Sequence, residues 1–179
     1  MAEVIIENII ATANLHQEID LEKIAQQLPQ ISFDPGENPA VVFHFDQEKS
    51  AVLLSEHGKI VCTGTTSMID AERFIEKVVE QLQEFDQTIE HPEVSLHQIV
   101  ATADLLQSIS LDLLIDHFPK EKITYNPQIN PWLQYEYDNH LSILFLATGK
   151  MVFTGKKDKS QLSTIYETVK DTLSSAGVI

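Results

Sequence analysis

The apolar positions of this chain follow the same succession of patterns twice. Val4 to Ala13, rich in β-branched residues, predicts a strand, and Val94 to Ala103 is its counterpart. A short helix is predicted next in each half: Asp20 can cap Leu21 to Leu28, and Ser110 can cap Leu111 to Phe118. Pro35-Gly36 and Pro127 mark turns before an extended stretch. Three closely spaced strands follow, near 40–46, 50–55 and 59–63, and again near 132–138, 141–147 and 150–154. Their short connections predict antiparallel pairing. Each half closes on a long helix. In the first, Ser67 is the N-cap candidate, and Ala71, Phe74, Ile75, Val78, Val79, Leu82 and Phe85 fall at helical spacing. In the second, Leu162, Ile165, Val169, Thr172 and Leu173 do the same. Both stripes are read as core-facing, and Asp86 to Glu93 as the linker. The prediction is an α+β chain of two similar halves, residues 1–90 and 91–179.

Residue identities repeat along with the pattern. Gly58-Lys59-Ile60-Val61-Cys62-Thr63-Gly64 returns 91 residues later as Gly149-Lys150-Met151-Val152-Phe153-Thr154-Gly155. Ile10-Ala11-Thr12-Ala13-Asn14-Leu15 returns after 90 residues as Val100-Ala101-Thr102-Ala103-Asp104-Leu105. Phe33-Asp34-Pro35 and Asn38-Pro39 return after 92 as Tyr125-Asn126-Pro127 and Asn130-Pro131. Three blocks in one order indicate a tandem duplication, and a unit of this length is too long for a solenoid repeat.

Charge narrows the partners. The net charge is −15, with 17 Asp/Glu against 5 Lys/Arg in residues 1–90 and 10 against 7 thereafter. Such an acidic chain opposes nonspecific nucleic-acid binding, which rests on neutralising phosphates. It does not prevent binding through one locally basic or apolar face, because repulsion is screened beyond about 8–10 Å at physiological salt. No apolar run reaches the roughly 20 residues of a membrane span, and Met1-Ala2-Glu3 lacks the basic segment of a signal peptide. The single cysteine, Cys62, excludes an internal disulfide and reads as a buried strand residue. A cytoplasmic protein of prokaryotic type is expected, without membrane association.

The two halves, each pairing an Asn-Ile-Ile-Ala-Thr-like strand with a Gly-Lys-x-Val-x-Thr-Gly strand, resemble the TATA-box-binding protein family. The resemblance runs from about Val4 to Leu173 with its blocks in order. It implies a saddle: two pseudo-symmetric repeats forming one curved antiparallel sheet, with helices on the convex face and a concave face for DNA. In that family the concave face binds the minor groove and kinks the duplex with apolar wedges, the family being a standard example of the mechanism. Carried over by position, the candidate DNA-binding residues are Asn8, Ile10, Thr12, Val61 and Thr63 in the first half. Gln98, Val100, Thr102, Val152 and Thr154 are their counterparts, and Lys49, Lys59, Lys150 and Lys157 are candidate phosphate contacts. Period-two alternation puts Ile10 and Thr12 on the face of Asn8, and Val100 and Thr102 on that of Gln98.

This sequence also departs from the family. The four wedge positions hold Asn38, Ser55, Asn130 and Leu146, of which only Leu146 is apolar. Unstacking a base step costs a few kcal/mol that short polar side chains cannot offset, so sharp kinks are expected to be absent or confined to one end. Family arginines stand as His44 and Glu136, and family lysines as Thr66 and His140. The family's acidic protein-contact loop is Tyr125-Asn126-Pro127-Gln128-Ile129, without an acid. Trp132 replaces a family glycine and is either a packed strand residue or a new protein-contact site.

Other chemistry is not supported. The seven histidines show no metal-ligand spacing with one another or with Cys62, although His44 and His57 could approach across neighbouring strands. No phosphate-binding glycine loop and no catalytic constellation can be assigned, so no enzyme activity, cofactor, metal or small-molecule substrate is expected. Two readings remain. One is a divergent transcription-initiation-type DNA binder without four-wedge kinking, its DNA binding weakened, with a protein partner of unknown identity. The other is a protein-interaction or regulatory module that no longer binds promoter DNA.

Overall fold

The computed structural model describes residues 3–45 and 49–179. They divide into two compact units: Asn8–His97, here the first unit, and the residues before Asn8 together with Gln98–Ile179, here the second.

The first unit is built on β1 (Ile5–Asn14) from Asn8 onward, β2 (Ile31–Asp34), β3 (Ala40–His44), β4 (Ala51–Ser55) and β5 (Lys59–Thr65). They pair antiparallel in the order β2-β3-β4-β5-β1. Helix α1 (Leu21–Gln27) packs beside β2 and β3, and α2 (Met68–Gln83) lies across β5 and β4. The expected caps form: Asp20 Oδ1 accepts the Lys23 N–H at 3.0 Å, and Ser67 Oγ accepts the Asp70 N–H at 3.1 Å. Ala71, Phe74, Ile75, Val78, Val79 and Leu82 of α2 are buried against Val52, Leu54, Ile60 and Cys62. Fully burying a side chain of this size stabilises by about 1.5–3 kcal/mol, so this helix face dominates the unit's core. Ile89 of the linker is buried in the same core, and its carbonyl accepts from Gln83 Nε2 at 2.7 Å.

The second unit repeats the plan with β6 (Ser95–Asp104), β7 (Ile123–Tyr125), β8 (Trp132–Asp138), β9 (Leu141–Leu146) and β10 (Lys150–Gly155), in the order β6-β10-β9-β8-β7. Helix α3 is confined to Leu111–Leu114, and α4 spans Lys159–Ser175. Tyr166 of α4 is buried, and its hydroxyl donates to the Asp104 carbonyl at 3.1 Å.

Several local expectations are corrected, and Phe85, expected in the α2 stripe, lies in the turn two residues past the helix end at Gln83 and is only half-buried. The second short helix stops at Leu114 without a side-chain cap from Ser110. Phe118, ahead of Pro119, stacks instead on Tyr135 and Phe145, with ring centroids 4.2 and 5.8 Å away. Thr172 is exposed and donates to the Thr168 carbonyl at 2.9 Å, while Tyr166 takes a place in the buried stripe. Strands β2 and β7 were not foreseen. The strand expected near 40–46 ends at His44, and its expected last position, 46, lies outside the described residues. No helix among the described residues is long and apolar enough to cross a membrane.

The glycines of the repeated motif are architectural. Gly58 and Gly149 have φ of +76° and +90°, and a Cβ there would lie 2.5 Å from the Gln17 carbonyl oxygen and 2.0 Å from that of Gln107. Only glycine meets both demands.

Candidate nucleic-acid interface

Strand alternation sorts the motif residues onto two faces. Ile60 and Cys62 of β5, and Met151 and Phe153 of β10, are buried under the helices. Between them, Val61 and Thr63, and Val152 and Thr154, project half-buried on the face that the helices leave open. Antiparallel register extends each into a row. Thr12, Val61, Leu53 and Val42 align across the first unit, and Thr102, Val152, Leu144 and Gln134 align across the second. A second row in the second unit joins Val100, Thr154, Ser142 and Glu136. The open faces thus carry hydroxyl, β-branched and leucine side chains over their inner strands, with the longer polar Gln134 and Glu136 on β8. Ile10 is also half-buried on this face.

The two central polar candidates differ. Asn8 Oδ1 accepts the Gly64 N–H at 2.8 Å, and its Nδ2 donates to Thr63 Oγ1 at 3.2 Å. Here the β1–β5 register shifts, between Ile9 opposite Thr65 and Ala11 opposite Cys62, and Gly64 has φ +87°. Asn8 therefore holds a β-bulge. Gln98 makes no side-chain hydrogen bond among the described residues, and β10 pairs with β6 in unbroken register. Its donor and acceptor are both available. Glu7, unforeseen in the sequence, accepts a hydrogen bond from Thr102 Oγ1 at 2.6 Å and sets a carboxylate against the floor.

The cationic candidates also divide. Lys49, Lys59 and Lys150 are exposed. Lys157 is ion-paired, with its Nζ 2.7 Å from Asp138 Oδ2. That hydrogen bond holds the Asp138 carboxyl below the usual carboxylate range. Glu136 is exposed on the open face. A carboxylate about 4 Å from a phosphate is repelled by about 1 kcal/mol in water and more at lower dielectric.

At the wedge positions Asn38 is exposed, and Ser55 Oγ accepts the Lys59 N–H at 3.2 Å. Asn38, Ala40, Leu53, Ser55, Lys59 and Val61 border an open groove of about 400 Å³ in the first unit. In the second unit Asn130 donates its N–H to the Asn126 carbonyl at 2.9 Å. Leu146 is half-buried opposite Trp132. Trp132 is itself half-buried in β8, between a packed and an exposed residue.

The remaining candidates separate. His44 Nε2 lies 3.1 Å from Ser32 Oγ, whereas His57 Nδ1 lies 2.9 Å from Glu18 Oε1. The expected approach of the two histidines is not made, because they stand at opposite ends of β4: His44 pairs with Ala51, and His57 follows Ser55. The Glu18 hydrogen bond and charge raise the His57 pKa. Cys62 is buried, and burial pushes its thiol up to about 11, which suits a packing residue. The described residues contain no metal-binding group of His, Cys, Asp and Glu.

Comparison with known proteins matches this geometry to one family. Residues 3–85 and 93–176 each match the family model described as transcription factor TFIID, or TATA-binding protein. The chain is 34% identical over 176 residues to a TATA-box-binding protein of Archaeoglobus fulgidus, covering 97% of this chain and 96% of the relative. A TATA-box-binding protein of Picrophilus torridus is 30% identical over 181 residues, covering 100% of this chain and 98% of its own. The solved structure of Methanococcus jannaschii TBP superposes with a TM-score of 0.79 at 30% identity, covering 97% of this chain and 99% of that one. The fold class expected from the sequence is the one these matches show.

Proposed function

The chain belongs to the TATA-binding protein family, which groups transcription factors and not enzymes, and from this premise we propose that it binds A·T-rich duplex DNA in transcription initiation without a four-wedge kink. The observation that carries the reading is the floor. Both units keep an aligned Thr–Val pair on their open faces, Thr12 with Val61 and Thr102 with Val152, and Lys59 and Lys150 are exposed at the starts of β5 and β10. Small apolar and hydroxyl side chains fit the minor groove, where A·T pairs present only acceptors, and exposed lysines supply counterion release. The polar substitutions at 38, 55 and 130, Glu136 on the open face and the paired Lys157 all act to weaken the complex. A protein partner completes the role.

Titration against A·T-rich and G·C-rich duplexes at low and moderate salt tests this. Preference for A·T with a steep salt dependence supports it; no binding near 50 mM salt sinks it. The second reading, a protein-interaction module on the same fold, is favoured by a separate observation. The loop that lost its acids carries Ile129 at 73% exposure, and solvated aliphatic side chains at loop tips suit protein contacts. Failure with every duplex would transfer support to that reading.

A further inference from the structure

We infer that the groove between α2 and the linker is the docking site of a cationic polypeptide segment bearing aliphatic side chains, the kind of basic arm that nucleic-acid-binding proteins carry. The inference goes beyond the duplex-binding reading and does not depend on it, since it uses the helix side of the first unit and not the open sheet face.

An open groove of about 430 Å³ runs beside α2, wholly within the first unit. Ile75 and Val79 form its buried helix wall, and the half-buried Pro92 and Val94 line the linker side. Glu72, Glu76 and Glu93 are exposed along it. Ile69 of α2 is 78% exposed. Helix positions i, i+3 and i+7 share one face, so Ile69 stands at the head of the Glu72–Glu76 stripe. The isoleucine and the groove offer apolar contact, and the carboxylates decide what can use it.

These carboxylates lack a counter-charge in the fold. None of the three makes an ion pair among the described residues. The helix cations are committed elsewhere: Arg73 Nη2 lies 3.1 Å from Asp70 Oδ1, and Lys77 Nζ lies 5.9 and 5.7 Å from the ring centroids of Phe45 and Phe74. Glu72, Glu76 and Glu80 follow at four-residue spacing, and like charges so placed destabilise a helix. A cation laid across them relieves that repulsion. The same charges repel phosphates, which excludes nucleic acid. They also disfavour a second copy, because each chain carries a net charge of −15.

The groove is held ready. Gln83 Nε2 donates to the carbonyl of the buried Ile89 at 2.7 Å. Asp86 Oδ1 accepts from the Thr88 N–H and hydroxyl at 2.9 and 2.6 Å. These bonds fix the linker against the end of α2, so little ordering remains when a partner binds. The feature belongs to one unit: at the repeat offset of 91 residues, Ile69 and Glu72 correspond to Ser160 and Ser163 of α4.

A fluorescent synthetic peptide with a leucine stripe flanked by lysines is titrated with the full chain at low and moderate salt, beside a counterpart with glutamates for lysines. The lysine peptide should bind with a clear salt dependence, and the glutamate peptide should not bind. Glu72→Gln with Glu76→Gln should weaken binding roughly 2- to 30-fold. Glu167→Gln with Asp171→Asn, the same change of charge on α4, should not. Ile69→Ser should weaken it about fivefold or more while keeping the salt slope. All these side chains are exposed, and circular dichroism checks that each variant is folded. Equal weakening by the α4 pair, or full affinity in Ile69→Ser, overturns the groove and leaves bulk charge attraction alone. No binding of the lysine peptide at low salt also overturns it. A dimer in analytical ultracentrifugation that Ile69→Ser abolishes would give the groove to a second copy instead. The titration contains no DNA, so its failure leaves the duplex-binding reading standing.

Discussion

The Gly64 N–H donates to Asn8 Oδ1 at 2.8 Å, across 56 residues of sequence and at the point where the β1–β5 register shifts. An amide that would serve to read bases is thereby already bound to the protein's own backbone. Gln98, its counterpart by sequence, is not so committed. The two copies have diverged into a positioning residue and a free polar group.

Truncating the two should consequently have different effects. Asn8→Ala leaves the Gly64 N–H without its acceptor and should cost about 1–2 kcal/mol of stability. Gln98→Ala should stay within about 0.5 kcal/mol of wild type, while reducing the preference for A·T over G·C duplex. Urea unfolding and duplex titration of both variants decide this. Equal destabilisation by the two would refute the division of roles.

The motif glycines make a sharper demand on stability. At Gly149 φ is +90° and a Cβ would stand 2.0 Å from the Gln107 carbonyl oxygen, while at Gly177 φ is +69° with nothing within 4 Å. Gly177→Ala should cost only the left-handed backbone penalty of about 1–2 kcal/mol. Gly149→Ala adds a clash with backbone that cannot swing aside, and should cost more than that. Comparable unfolding midpoints for the two would mean that the Gln107 loop yields freely.

The Asp138–Lys157 pair links stability to affinity. The Asp138 carboxyl has a folded pKa below its unfolded value of about 3.9. Its stabilisation is therefore present above that value and is lost as pH falls through the lower folded one. Asp138→Asn should flatten that acid limb of the stability curve. It also releases Lys157 for phosphate, so the log–log salt slope of duplex binding should steepen by about one. Acid titration followed by circular dichroism checks the first effect, and binding across a salt series checks the second. An unchanged slope would remove Lys157 from the interface.

What the sequence made legible follows from the range of each signal. The alternation in β1, the α2 stripe from Ala71 to Leu82 and the caps Asp20 and Ser67 are local and legible, whereas Phe85 lies past the helix end. Strand β2 is four residues long and β7 three, each ending beside a proline-containing turn, too short for periodicity to register. Pro119 and the ring stack of Phe118 on Tyr135 limited α3, and only the first is visible locally. The partners of Asn8, Thr102 and Lys157 lie 56, 95 and 19 residues away. Alternation assigned these side chains to a face, but not to the atoms that occupy them.

The turn after β6 offers a substitution that should strengthen the fold. Leu106 has φ 61° and is 76% exposed, with its N–H donating to Asp104 Oδ1 at 2.7 Å. The equivalent turn in the first unit has His16 at φ 55°, its N–H on Asn14 Oδ1 at the same 2.7 Å. The left-handed conformation costs an L-residue about 1–2 kcal/mol, and asparagine bears it best among residues with a Cβ. An exposed leucine recovers little of that through packing. Leu106→Asn should therefore raise stability by about 0.5–1 kcal/mol, seen as a Tm about 1–4 °C higher for a chain of this size. Asp104→Ala removes the acceptor that closes the turn, so the double variant should lose most of the gain. A lower Tm for Leu106→Asn alone would show that the leucine side chain contributes more to the fold than its exposure suggests.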